Sequence, residues 1–144
     1  MKAFLDKIIE YLDKKFSEDT ALVKKPKGHY AYEFGLVPSV NPYYEVQNLS
    51  GSDGDEDFEN LVTSTIGLQI NVYGVKANVN NKIVTAQVHS MILADKCEEF
   101  MQEFKYADDT VVSMRRIVRS PAIPYEDGSK SYTTAIRYEI EIKQ

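Results

Sequence analysis

At 144 residues the chain suits one domain with a core large enough to need no staple, and its single cysteine, Cys97, rules out an internal disulfide. A net charge of −5 argues against general nucleic-acid binding, which needs surplus lysine and arginine to neutralise phosphate. No apolar run is long enough to span a bilayer and no signal peptide opens the chain, so synthesis in the cytosol is expected.

Over residues 1–16, Leu5, Ile8, Ile9, Leu12 and Phe16 recur at helical spacing. Asp6, Glu10 and Asp13 balance Lys7, Lys14 and Lys15, so this helix is expected to pack on the domain's own sheet rather than lie on a membrane. Residues 17–42 carry Pro26, Gly28, Gly35, Pro38 and Pro42 and read as a long irregular connection, with a short strand in the run from His29 to Phe34. Tyr43 to Leu49 reads as a strand and Ser50 to Asp57 as an acidic loop. Leu61 to Tyr73 reads as a strong strand with Val62, Ile66, Leu68, Ile70 and Val72 on one face, ended by Gly74.

A long helix is expected from about Val79 to Phe104. Its stripe is Val79, Ile83, Ala86, Leu93, Cys97, Phe100 and Phe104, with one double step after Ala86. Asn78, Asn80 or Asn81 can supply its N-cap, and Asp95 marks a point where it can break. Asp108-Asp109 turns the chain into the last two strands, joined by a proline-punctuated arm ending in Asp127-Gly128. The first, Val111 to Arg119, alternates poorly across Arg115-Arg116, which predicts a bulge. The second alternates cleanly, with Tyr132, Thr134, Ile136, Tyr138, Ile140 and Ile142 on one face and Thr133, Ala135, Arg137, Glu139 and Glu141 on the other. The order α-β-β-α-β-β predicts a single α+β domain over residues 1–144, with long loops at about 17–42, 50–60 and 120–130. Its sheet is expected to be mainly antiparallel and four-stranded, with the long helix and the N-terminal helix on one face.

The chemistry-bearing candidates are few. Asp53, Asp55 and Asp57 alternate as a hard cation requires, but Phe58 stands where the loop needs glycine and Ser64 where it needs a bidentate glutamate. A solvated loop tip is the better reading. Glu141-x-Lys143 echoes a metal-dependent nuclease strand, yet the nearest upstream acids, Glu126 and Asp127, fall on a turn. His29, His89 and Cys97 lack metal-ligand spacing, Ser52 lies in a turn, and no glycine-rich phosphate loop occurs. No catalytic residue, cofactor or metal is therefore expected, and a small nuclease is the enzymatic alternative.

Arg115, Arg116, Arg119 and Arg137 form the one basic concentration. Arg115 or Arg116 can face Glu139 or Glu141 across a strand ladder, worth a few tenths to about 1 kcal/mol. The same residues can instead bridge subunits, and the two readings carry similar weight. Ten tyrosines with no tryptophan suit half-buried sheet faces and interfaces.

Several segments occur in a suggestive order: a short N-terminal helix, Tyr43-Tyr44-Glu45-Val46-Gln47-Asn48, Leu68-Gln69-Ile70-Asn71-Val72-Tyr73, the long helix, Ser113-Met114-Arg115-Arg116, the arm from Ser120 to Gly128, and Arg137-Tyr138-Glu139-Ile140. Over most of its length this pattern resembles the tail terminator, or head–tail joining, proteins of long-tailed phages and their prophages. The resemblance implies a structural protein without catalytic residues. It implies a hexameric ring of the chain itself, stacked on the tail tube protein and presenting a surface to the head-completion connector, with DNA passing through unbound. The expected location is the virion neck. A neighbouring neck protein is the alternative within the same class.

Overall fold

The structure is a computed structural model and describes residues 2–31, 41–49, 63–125 and 131–143. The first helix, α1, runs Lys2–Glu18. Phe4, Leu5, Ile8, Leu12 and Phe16 fall on one stripe and are buried, and packing of that stripe rather than propensity supplies most of the helix's stability.

The sheet is mixed and six-stranded. Its strands are β1 (Lys27–Tyr30), β2 (Tyr43–Asn48), β3 (Thr63–Gly74), β6 (Val111–Arg119), β7 (Ile123–Pro124) and β8 (Tyr132–Lys143). They lie in the order β1-β2-β3-β8-β6, with β7 on β8. All neighbours are antiparallel except β1 and β2, which run parallel. The remaining elements are the hairpin β4 (Ala77–Val79) and β5 (Lys82–Val84), and the second helix, α2 (Ala86–Ala107).

Both helices cover the same sheet face. Val46, Ile70 and Ile136 form one cross-strand row on it, and Ile66, Ile140 and Met114 another. These rows meet Phe16, Leu93, Cys97, Phe100, Met101 and Phe104 in one apolar core. Phe16 lies edge-on to Phe100 at 5.1 Å, joining the two helices over the sheet. Two glycines mark close approaches, one between layers and one between neighbouring strands. At Gly74 a Cβ would come within 2.7 Å of Ser90 Cα and 2.9 Å of Ala86 O, so the first turn of α2 rests directly on the β3 backbone. At Gly28 a Cβ would fall 2.8 Å from Tyr44 Cε2. Asp13 of α1 accepts from both Gly28 N (2.9 Å) and the Tyr44 hydroxyl (2.7 Å), tying helix, β1 and β2 together through one carboxylate.

The α+β class holds, but the expected four-stranded, mainly antiparallel sheet and the order α-β-β-α-β-β are corrected in three places. The strand expected from His29 lies at Lys27–Tyr30 and adds a parallel edge. The helix expected from Val79 begins only at Ala86, because Asn80 and Asn81 take φ of 52° and 65° and turn β4 into β5. Two adjacent residues at positive φ are the requirement of a tight hairpin, and asparagine tolerates them. The N-cap is accordingly Thr85, whose hydroxyl accepts from Val88 N, rather than any of the three asparagines. The third correction is β7, a two-residue strand within the arm. The helix is continuous through Asp95, and the double step after Ala86 is filled by His89 and Ser90, both buried.

Candidate functional site

The sheet face turned away from the helices carries polar side chains on its central strands: Thr65, Gln69 and Asn71 on β3, Arg137, Glu139 and Glu141 on β8. Their donors and acceptors meet locally. Arg137 Nε donates to Gln69 Oε1 at 2.7 Å, and Gln69 Nε2 donates to Asn71 Oδ1 at 2.8 Å. Arg115 pairs with Glu139 directly across the ladder at 3.3 Å, with its side chain 70% exposed. An ion pair so solvated contributes roughly 0–1 kcal/mol.

All four arginines of the chain lie on β6 and β8, but the strands sort them onto two faces. Register shifts fall between Val111 and Ser113 and between Arg116 and Val118. The second inverts the alternation, so Arg119 opposes Ile136 and joins Arg116 on the helix side. There Arg116 Nε meets Glu98 at 3.0 Å. Arg119 meets Asp95 at 2.6 Å and Glu98 at 3.1 Å, and also donates to Met91 O at 3.2 Å. These contacts bolt α2 to the edge strand. Each proposed basic residue thus has an intramolecular partner; Arg119 is the least exposed of the four, while Arg115, Arg116 and Arg137 remain exposed. Asp53, Asp55 and Asp57 lie outside the described residues.

At the other end of the same face sits an aromatic cluster that sequence patterning did not single out. Tyr43 and Tyr73, opposite each other on β2 and β3, stack at 4.2 Å and 11°. Tyr125 meets Tyr73 edge-on at 5.1 Å, and His29 meets Tyr43 edge-on at 6.1 Å. The Tyr73 hydroxyl donates to Glu45, a buried carboxyl. Burial pushes Glu45 above the usual carboxylate range, against the stabilising effects of the Tyr73 hydrogen bond and nearby His29. Alternation on β2 marks Glu45 as facing away from the core, where His29 and Asn71 lie opposite it on the two neighbouring strands and Tyr73 bonds its carboxyl. The cluster anchors the end of the arm at Tyr125 and presents no nucleophile or metal ligand set.

On the helix side, Cys97 is fully buried and its thiol is pushed up to about 12 by burial, so it packs as a small apolar residue. His89 accepts from Val75 N through Nδ1 at 3.1 Å, which fixes it as a packed neutral imidazole. The nuclease reading gains nothing here: Glu141 opposes Thr65 on β3 and Ser113 on β6, so neither neighbouring strand offers a second carboxylate beside it. Among the described residues no group of three or more His, Cys, Asp or Glu side chains converges on a metal position. No described helix is long and apolar enough to cross a membrane. No family model matches the chain, and no curated protein sequence matches it.

Proposed function

We propose that this chain is a structural assembly protein, a tail terminator or head–tail joining subunit of a long-tailed phage or prophage. The observation that carries the proposal is the placement of every arginine on the edge strand β6 and its neighbour β8, with Arg115 and Arg137 on the sheet face left free of both helices. Arginine is enriched at protein interfaces, and a sheet sealed on one side leaves the other side and its edge for neighbours. In this reading the subunits form a ring, expected to be hexameric, on the tail tube protein. The ring halts tube growth, meets the head connector, and lets DNA pass without counterion release, since the subunit is acidic overall. Its place is the virion neck, and it needs no cofactor.

The test is genetic and structural together. A major tail protein gene beside this one, and unjoined tails of uncontrolled length when the gene is deleted, are the expected results. Neighbours from metabolism or DNA repair, or normal joined tails after deletion, overturn the proposal.

A further inference from the structure

We propose that the β6 edge of one copy docks onto the outer ridge of α2 in a second copy, as a heterologous contact. This rests on the ring reading above only in taking the partner to be another copy of this chain.

Among the described residues nothing pairs with the outer side of β6. Val112 and Ile117 sit at its two register shifts, displaced from the ladder, and both are exposed. Val118, also exposed, follows on the face that carries Arg115. The edge therefore reads apolar, cationic, apolar over about 20 Å. Two bulges also spoil it as a template for strand addition, which favours docking through side chains over sheet extension.

The ridge of α2 presents the complementary pattern. Met91, Asp95 and Glu99 recur at intervals of four, and Glu103 and Tyr106 continue the exposed row. Met91 and Tyr106 are exposed apolar ends about 22 Å apart, with acids between them. Glu103 is partly held by Lys15 at 2.9 Å and Asp95 by Arg119, whereas Glu99 has no ion pair among the described residues. Arg115 has only its solvated bond to Glu139, on the face turned away from α2, so it cannot reach Glu99 of its own copy. Apolar ends flanking charges of opposite sign, over matched lengths, specify the register. Because the two patches differ, the contact runs head to tail and closes into a ring at the right rotation.

The experiment uses the whole chain and sedimentation velocity over rising concentration, with Arg115→Glu, Glu99→Arg and the double variant. Circular dichroism melts check that each variant folds. Wild type is expected to associate, each single reversal to weaken association on the order of a hundredfold, and the double reversal to restore it. A wild type that stays monomeric overturns the contact, as does a single variant that associates normally or a folded double variant that fails to recover. The tail-capping reading is judged independently, by neighbouring genes and tail length.

Discussion

His89 shows what a polar residue costs and contributes inside this core. It is 1% exposed, and burial holds its imidazole below the ordinary value near 6.5. Its Nδ1 can accept from Val75 N only while that nitrogen carries no proton. The unfolded chain takes up the proton first as pH falls, so native stability is complete above about 6.5 and is lost as pH drops toward the lower folded value. His89→Gln, which can still accept from Val75 N through its amide oxygen, is expected to flatten that loss. Urea midpoints of both proteins between neutral pH and pH 5 check this, and equal slopes would contradict it. Glu45, shifted upward, acts in the opposite sense in both proteins, so only their difference reports on position 89. At this scale the sequence was partly legible. Cys97 was readable as a packed residue because it falls on the apolar stripe of α2, whereas for His89 the sequence excluded only metal-ligand spacing. The division of the arginines was half legible: poor alternation across Arg115-Arg116 predicted a bulge, but not that it falls between Arg116 and Val118 and moves Arg119 to the opposite face.

Among the elements, the layer contact between α2 and β3 is the least forgiving. Gly74 faces Ser90 and Ala86 backbone with no flexible side chain to move aside. Gly74→Ala therefore forces the helix off the sheet and is expected to destabilise by about 1–3 kcal/mol, read from urea unfolding. An unchanged midpoint would mean that the helix shifts freely. The long strands and both amphipathic helices were legible because each carries its period over many residues: Ile66, Leu68, Ile70 and Val72 at two, Leu93, Cys97, Phe100 and Phe104 at three or four. Short elements were not. Three-residue strands show no period, and Val79, Ile83 and Ala86 happen to fall at helical spacing across a hairpin that two asparagines turn. The parallel pairing of β1 depends on Gly28 admitting the Tyr44 ring, a contact invisible in one dimension.

For the molecule as a whole, both helices cover one sheet face, and neither covers the other face or the β6 edge. The α+β class followed from element order, while the strand order and mixed polarity required tertiary pairing that no local signal encodes. The position of β8 has a further consequence, in time rather than in space. It comes after every other described element in the sequence, yet it lies between β3 and β6, with Thr63 opposite Lys143 and Gly74 opposite Tyr132. Pairing so distant in sequence slows folding, so refolding after dilution from urea is expected to take roughly milliseconds to seconds, and microsecond refolding would contradict it. During synthesis the central slot stays empty until residue 143 has left the ribosome. Until then the nascent chain exposes the unpaired side of β3 and much of the surface that becomes its core, the state in which a chain is most prone to aggregate.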